Sequence, residues 1–410
     1  MKYSFVSHLY CPKCGKNYDT EDQNQLCKCG SPLLVAYYME ELKKVLRPEH
    51  LNERRPDLWR YHELLPVKRE ENVVSLGEGM SPIIKMDVVG KDMNIPNLYM
   101  KDEGLVPTGS FKARGAAVGV SKAKEVGVTE LAMPTNGNAG AAWSLYCARA
   151  GISSTIVMPV DAPEVTKKEC LAAGANLFLV DGLIGDAGKI VANAVKEYGM
   201  FDASTLKEPY RIEGKKTMGL EIAEQFHWEV PDVILYPTGG GVGLIGIYKA
   251  LRELQELGWI DEMKMPRLVA VQSEGCAPIV KAWEEGQSYA EPWQDASTIA
   301  FGINVAKALG DFLILDAIRQ TEGCAISVSE DSIMSELRTV SSFEGAFVCP
   351  EGAAAFAAAR ALREQNWIKE NEKVVILNTG AGIKYPNTIQ GDSNVLHPEE
   401  ALVMDKDVSR

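Results

Sequence analysis

The sequence lacks long hydrophobic runs and blocks of basic residues, although it has 410 residues. No run approaches the ~20 apolar residues that a membrane-spanning helix needs. Residues 1–9 lack the charged start and long apolar stretch of a secretory signal. A formal net charge of −13, without a cluster of Lys and Arg, is unlike that of a nucleic-acid-binding protein. We therefore expect a cytoplasmic protein that binds neither membranes nor nucleic acid.

The sequence has only nine cysteines, which is an odd number. In a sequence that shows no secretion signal, this does not indicate a disulfide framework. Four of them, Cys11, Cys14, Cys27 and Cys29, lie close together in the patterns CPKCG and CKCG. Two such knuckles supply four thiolates for a tetrahedral zinc ion, and each glycine allows a tight turn. We predict a structural zinc ribbon without catalytic role. A ribbon that keeps its cysteines without metal is the alternative.

Beyond residue 71 the sequence alternates short apolar runs, typical of buried strands, with amphipathic stretches, typical of helices. The predicted strands are 131–133, 154–158, 176–180, 233–236, 268–271 and 374–377, and the predicted helices are 115–126, 139–150, 217–226, 244–254 and 353–365. This alternation predicts an α/β fold with parallel sheets covered on both faces. Ligands of doubly wound sheets bind at the carboxyl ends of strands, so the loops that follow the predicted strands are the candidate binding segments.

One of these loops, PTGGGVGLIG (237–246), joins an apolar run to an apolar helix. Its glycines let backbone N–H groups converge, and the positive end of the helix adds to them, which predicts a phosphate site. Residues 241–246 also match the G-x-G-x-x-G pattern of dinucleotide-binding folds, although the acidic residue, Glu274, follows late. A nicotinamide-dependent oxidoreductase and glycines that serve only packing are therefore alternatives.

Two further loops carry candidate chemistry. In PTGSFKARG (107–115), Lys112 lies at a helix start beside Arg114. A positive potential there disfavours the ammonium form, as an imine-forming lysine requires. In PTNGNAG (134–140), hydroxyl and amide groups at a helix start suit a small anion such as a carboxylate. A solvated lysine and an ordinary capping turn are the respective alternatives.

Together these segments resemble the fold-type II pyridoxal-phosphate enzymes and, within them, the threonine synthase family. The resemblance rests on KDEGLVPTGSFK (101–112), WRYHELLP (59–66), SLGEGMSP (75–82), RIEGKKT (211–217) and TGAGIK (379–384). It implies two doubly wound parallel-sheet domains with the cofactor in the cleft. We accordingly predict a zinc-ribbon-like segment at 1–45, a large cofactor-binding domain at 46–125 and 215–390, a smaller mobile domain at 126–214 and a tail at 391–410.

The resemblance also implies roles for single residues. Lys112 would hold the cofactor covalently and shuttle protons. The other cofactor contacts would come from Phe111 and Asn138 beside the ring, from Gly239, Gly240, Gly241, Val242 and Gly243 at the phosphate, and from Thr379 at the pyridine nitrogen. The substrate carboxylate would be bound by Thr135, Asn136 and Gly137, and a substrate phosphate by Arg211.

The implied reaction converts O-phosphohomoserine and water into threonine and phosphate, by γ-elimination and β-addition of water. Three substrate-facing positions depart from the family pattern. Ala139 removes a hydroxyl group, Glu208 lies in a stretch usually rich in asparagine, and Lys215 stands where glutamine is common. The alternatives are β-elimination or β-replacement on serine, threonine or a phosphorylated amino acid, and a zinc-ribbon binding module on an inactive enzyme body. We expect a homodimer with a small amino-acid substrate.

Overall fold

The computed structural model describes residues 2–389, 391 and 395–400. These residues form three β-sheets, of six, four and three strands, and the helices pack against the two larger sheets. Most of the predicted tail, residues 391–410, lies outside the described residues. None of the described helices combines the length and the apolar character that crossing a bilayer requires.

Strands and helices alternate along most of the chain, as the sequence predicts. The strands are β1 Val6–Tyr10, β2 Asn17–Tyr18, β3 Leu34–Tyr37, β4 Ile83–Lys85, β5 Leu98–Asp102, β6 Glu130–Pro134, β7 Ser153–Pro159, β8 Asn176–Val180, β9 Phe201–Asp202, β10 Val233–Pro237, β11 Arg267–Ser273, β12 Cys324–Val328 and β13 Val374–Asn378. The helices are α1 Met39–Val45, α2 Asp87–Asp92, α3 Lys112–Glu125, α4 Asn138–Ala150, α5 Glu164–Ala172, α6 Ile184–Tyr198, α7 Arg211–Gln225, α8 Val242–Leu257, α9 Pro278–Glu284, α10 Asp311–Gln320, α11 Glu330–Glu344 and α12 Pro350–Glu364.

The six-stranded sheet has the order β12–β11–β10–β13–β5–β4. Its central strands β10 and β13 are buried along their whole length, because helices cover both faces of the sheet. Five strands are parallel, whereas the edge strand β4 pairs antiparallel with β5. The doubly wound α/β prediction is confirmed, with the difference that this sheet is not parallel throughout.

The four-stranded sheet has the order β8–β7–β6–β9 and is parallel in all its pairs. Its strands lie between residues 130 and 202, within the segment predicted as the smaller domain. Helix α4 follows β6 and packs on α3, which precedes it. The loop between β6 and α4 is therefore placed at the carboxyl end of this sheet, facing the larger one.

The three-stranded antiparallel sheet β2–β1–β3 docks onto helix α7. The Tyr37 hydroxyl donates a hydrogen bond to the Glu213 carboxylate at 2.7 Å. The ammonium groups of Lys216 and Lys249 lie 4.1 and 4.7 Å from the centroid of the Tyr37 ring. Lys216 lies on α7 and Lys249 on α8, so the N-terminal sheet contacts both of these helices, which begin at the predicted site residues Arg211 and Val242.

Candidate functional site

A cleft of about 330 Å³ is lined by loops from both larger sheets. This volume lies at the lower end of the range for small-molecule sites. The predicted residues that line the cleft are Phe111, Lys112, Thr135, Asn136, Gly137, Asn138, Arg211, Gly239, Gly240, Gly241, Val242 and Thr379. Gly243 lies behind the glycine loop, against the hydroxyl of Tyr236. The structure thus brings the sequence-predicted residues of all three loops together.

Lys112 is the first residue of α3, and its Nζ lies 4.2 Å from the centroid of the Phe111 ring. Burial, and after it the positive charge of Arg211, lowers the pKa of Lys112 to about 8. A lysine with this pKa is roughly one-tenth neutral at pH 7, far more than a lysine with the ordinary value of 10.5. Only the neutral amine attacks a carbonyl group, so the lowered pKa favours the predicted covalent link.

Arg114 does not supply the positive potential at Lys112, because its charge is neutralised inside the protein. Its guanidinium donates to the carboxylates of Glu103 and Glu221 at 2.5–2.8 Å, and Lys101 Nζ lies 2.7 Å from Glu221. All four side chains are fully buried. The prediction that Arg114 acts on Lys112 through its charge is therefore wrong. The network instead fixes the first turn of α3, which carries Lys112.

The glycine loop fits a phosphate group. No hydrogen bond within the described residues uses a backbone N–H of residues 239–243, and α8 begins at Val242, which adds the positive end of a helix. Gly241 has a φ of +71°, which side-chain-bearing residues rarely adopt. A Cβ on Gly243 would collide with the Tyr236 hydroxyl. The glycines are therefore needed for this loop shape, and its free N–H groups are available to an anion.

The loop after β6 is held in shape by its own hydrogen bonds. The Thr135 hydroxyl accepts from the backbone N–H groups of Gly137 and Gly140 at 2.9 and 3.0 Å. The Asn136 side chain donates to the Asn304 carbonyl at 3.2 Å. Thr135 therefore does what a capping residue does, and its hydroxyl keeps a proton that it can still donate.

Two residues that the sequence did not single out, Tyr385 and Glu351, meet Asn138 in the cleft. Asn138 Nδ2 donates to the Tyr385 hydroxyl at 2.8 Å, and this hydroxyl donates to Glu351 Oε1 at 2.9 Å. Asn138 Oδ1 and Glu351 Oε2 are buried and have no hydrogen-bond partner among the described residues. Buried acceptors without a partner are rare in folded proteins, so they mark a place where a bound molecule would complete the site.

Arg211 is held rigidly at the wall of the cleft. It is 5% exposed, and its guanidinium donates to the Thr205 hydroxyl at 3.1 Å and to the carbonyl of Ala203. Its Nε lies 3.4 Å from the Glu208 carboxylate, which also accepts from the backbone N–H groups of Tyr210 and Arg211 at 2.6 and 3.0 Å. Glu208 therefore caps the start of α7 and orients the guanidinium.

Thr379 lies on the loop after β13, next to Phe111 and Cys349. Its carbonyl accepts from the Phe111 N–H at 3.0 Å, and its hydroxyl oxygen lies 3.7 Å from the Cys349 sulfur. Burial raises the pKa of Cys349 well above the ordinary value of a thiol. The hydroxyl and the thiol at this side of the cleft are therefore both neutral.

The four N-terminal cysteine sulfurs all lie within 4.8 Å of one another. The Sγ–Sγ distance is 3.5 Å both for Cys11 and Cys29 and for Cys14 and Cys27. Four sulfurs at about 2.3 Å from a central zinc would be separated by roughly 3.8 Å. The cluster is thus close to the size of a tetrahedral zinc site, and with four thiolates it has no open position for a substrate.

Comparison with known proteins gives a family match over most of the chain. Residues 74–380 match the model of the family described as pyridoxal-phosphate dependent enzyme. A threonine synthase of Methanocaldococcus jannaschii is 34% identical over 97% of both chains. A threonine synthase of Methanosarcina acetivorans is 36% identical over 93% of both chains.

Solved structures with low sequence identity share the fold. Maize serine racemase gives a TM-score of 0.64 at 22% identity and covers 74% of this chain and 88% of its own. The L-serine ammonia-lyase of the fungus Rhizomucor miehei gives a TM-score of 0.63 at 20% identity and covers 73% and 93%. These likenesses establish the architecture alone, and they confirm the predicted fold class.

Proposed function

The chain belongs to the pyridoxal-phosphate dependent enzymes, and from this membership we propose that it is a threonine synthase, which converts O-phosphohomoserine and water into threonine and phosphate. It is similar over nearly its whole length to two threonine synthases. The structural observation that carries the proposal is that Lys112, the glycine loop and Arg211 line one cleft. A nicotinamide-dependent oxidoreductase, the alternative for residues 241–246, leaves Lys112 and its lowered pKa unexplained.

The residues of the cleft offer what each part of pyridoxal phosphate needs. We assign the cofactor phosphate to the free N–H groups of residues 239–243. Lys112 would supply the amine for the covalent link, and the neutral hydroxyl of Thr379 would serve the pyridine nitrogen. Asn138, whose amide has a buried oxygen without a partner among the described residues and is held by Tyr385, would contact the ring together with Phe111.

When bound, pyridoxal phosphate supplies an electron sink for negative charge on the carbons of an amino acid. Lys112 removes protons from the α- and β-carbons of the substrate, and it returns one to the γ-carbon after the phosphate has left and one to the α-carbon at the end. Arg211 binds the phosphate, which departs from the γ-carbon and takes the electron pair of the broken C–O bond. The loop of Thr135, Asn136 and Gly137 holds the carboxylate. The oxygen of water then forms its bond to the β-carbon, and the proton that the water loses is taken up with the released phosphate.

We also propose that residues 126–214 form a smaller domain that closes on the substrate and excludes water. The larger domain would then comprise residues 46–125 and 215–390. We further propose that the chain works as a homodimer in the cytoplasm. Sedimentation at a mass near twice the chain mass of 44.8 kDa would support the dimer, and sedimentation at the single-chain mass would contradict it.

The test is the release of threonine and phosphate from O-phosphohomoserine by the cofactor-loaded protein. We expect one phosphate per threonine, and no release by Lys112→Ala. Lys189→Ala serves as the control, because this lysine is 79% exposed on α6. Full activity of Lys112→Ala would refute the assigned mechanism. Ammonia released from serine or threonine, with O-phosphohomoserine inert, would select the β-elimination alternative.

A further inference from the structure

Among the described residues, the buried lysines are paired with carboxylates, with one exception in the cleft. The paired ones are Lys101 with Glu221 at 2.7 Å, Lys122 with Glu125 at 2.5 Å, Lys216 with Glu213 at 2.6 Å and Lys384 with Glu169 at 2.6 Å. The exception is Lys215; the half-buried Lys112, for which the covalent link to the cofactor accounts, also lacks a carboxylate partner within 4.0 Å among the described residues. Lys215 is 3% exposed, and no carboxylate among the described residues lies within 4.0 Å of its ammonium group.

The surrounding helices fix the position of Lys215. It lies one turn after Arg211 on α7, so both side chains leave the same face of the helix. A Cβ on Gly115 of α3 would lie 3.0 Å from Lys215 Cε, and a Cβ on Gly246 of α8 would lie 3.0 Å from Lys215 Cβ. The glycines on the two neighbouring helices thus leave space for the side chain of this lysine. Lys215 is therefore closely packed in the wall of the cleft and is not a solvated surface residue.

The ammonium group has donors to spare. Lys215 Nζ donates to the carbonyl of Phe111 and lies 4.1 Å from the centroid of the Phe111 ring. Lys112 Nζ lies 4.2 Å from the same centroid. An ammonium has three donors, so two are left. Burial, and after it the charge of Lys112, lowers the pKa of Lys215 well below its ordinary value.

The charges that line the cleft are mostly positive, in a chain whose net charge is −13. Lys112, Arg211, Lys215 and Lys307 line it, and Glu351 is its one carboxylate within the described part of the chain. Behind the lining, Arg211 is paired with Glu208 at 3.4 Å and Lys307 with Asp311 at 2.6 Å, whereas Lys215 has no such partner among the described residues. A buried cation without a counter-ion is costly, and an anion that binds beside it removes that cost. Lys215 is therefore placed to receive an anion.

We propose that Lys215 binds a phosphate monoester in the active site and gives the site its preference for phosphorylated ligands. The proposal rests on the proposed function, which supplies two such groups, the phosphate of the cofactor and the phosphate of the substrate. Both present the same dianionic chemistry to Lys215, and the experiment below distinguishes them.

The first arm measures cofactor binding. Cofactor-free wild type, Lys215→Met and Lys215→Gln are titrated with pyridoxal 5′-phosphate and with pyridoxal, which lacks the phosphate. If Lys215 binds the cofactor phosphate, both variants bind pyridoxal phosphate at least tenfold more weakly and bind pyridoxal as wild type does. Lys189→Met, on an exposed lysine, is the matched control.

The second arm measures binding of the substrate phosphate to the cofactor-loaded enzymes. If Lys215 binds that group, the inhibition constant of inorganic phosphate and the KM for O-phosphohomoserine both rise at least tenfold, with cofactor affinity unchanged. Changes below twofold in both arms overturn the proposal. Because no buried carboxylate loses an ion-pair partner when Lys215 is replaced, we expect the variants to unfold at or above the wild-type temperature.

The two proposals fail separately. If the wild-type enzyme forms no threonine, the proposed function is wrong, but the cofactor titration and calorimetric titration with inorganic phosphate still test Lys215. If threonine forms normally in wild type and both variants bind phosphate and cofactor as wild type does, the proposal for Lys215 alone is wrong.

Discussion

The buried network behind Lys112 predicts a large loss of stability on a conservative substitution. Glu221 accepts from both terminal nitrogens of Arg114 and from Lys101, at 2.5–2.8 Å, with no exposure to solvent. Glu221→Gln removes the negative charge and points an amide NH₂ at groups that are all donors. Breaking a buried ion pair on one side costs about 3–5 kcal/mol, because the other charges stay buried. We expect a loss of that size in the free energy of unfolding.

Urea unfolding of the cofactor-free protein at pH 7 measures this loss. The control is Glu41→Gln, which breaks the exposed pair with Lys2, where both side chains are more than half exposed. Exposed pairs contribute about 0–1 kcal/mol. The reasoning is refuted if Glu221→Gln costs no more than Glu41→Gln.

The difference in the free energy of unfolding between wild type and Glu221→Gln should also depend on pH. Burial alone would raise the pKa of Glu221, but the charges of Arg114 and Lys101 outweigh it and lower that pKa to about 2. Since the folded-state pKa lies below the ordinary value of 4.5, the contribution of Glu221 is complete above about pH 4.5 and is lost as the pH falls toward 2. The gap between wild type and Glu221→Gln should therefore be widest at pH 7 and narrower at pH 3. A gap that widens in acid would contradict this account.

Three further predictions concern the cofactor and the metal. The rate of cofactor incorporation, followed by stopped-flow absorbance, should rise with a midpoint near pH 8, because deprotonation of Lys112 creates the attacking amine; a midpoint near the ordinary 10.5 would disagree. Gly243→Ala places a methyl group against the Tyr236 hydroxyl and should weaken cofactor binding at least tenfold by fluorescence titration. Gly188→Ala, on α6 outside the cleft lining, adds a Cβ that meets nothing within 4 Å and should bind normally, and equal affinities would count against the steric argument. Mass spectrometry of the purified protein should find one zinc per chain. Cys14→Ser should have a lower zinc content and a lower unfolding temperature than wild type. Wild type without zinc would favour the metal-free ribbon.

Much of the fold follows from the sequence because buried parallel strands are continuous apolar runs. All six predicted strands are present. The sequence did not predict the other seven strands, β1 to β5, β9 and β12. One of them is β5, in which Lys101 interrupts the apolar pattern. The sequence also placed the start of α3 at residue 115 and that of α7 at residue 217 instead of at Lys112 and Arg211. The errors at β5, α3 and α7 fall on charged residues, which resemble solvated residues in a linear sequence. In the structure they are buried, because ion pairs from distant parts of the chain neutralise Arg114 and Lys101.

The candidate site likewise contains residues that the sequence predicted and residues that it did not. The glycine loop and the helix starts that follow strands carry local signals, so the sequence predicted which segments meet in the cleft. Glu351 carries no such signal, because an acidic residue in the first turn of an alanine-rich helix is ordinary. Its contacts with Tyr385 and with the N–H of Gly302 join segments that are far apart in sequence. Only the folded chain places them beside Asn138.

The substrate side of the cleft has changed relative to the family pattern in a way that preserves its charge. By the resemblance, Glu208 lies in a stretch that is usually rich in asparagine, and Lys215 stands where glutamine is common. Glu208 precedes Arg211, the first residue of α7, and Lys215 follows it by one turn. One change adds a negative charge and the other a positive charge, so the sum around Arg211 is that of a single cation. Glu208 uses its charge to cap the helix and orient the guanidinium, at 3.4 Å, while Lys215 lies in the cleft with donors unused. Because long-range attraction of a phosphate depends on the summed charge, the altered residues are compatible with the same phosphorylated substrate. The cofactor side had no such freedom, since a Cβ on Gly241 or Gly243 would collide with a neighbouring side chain.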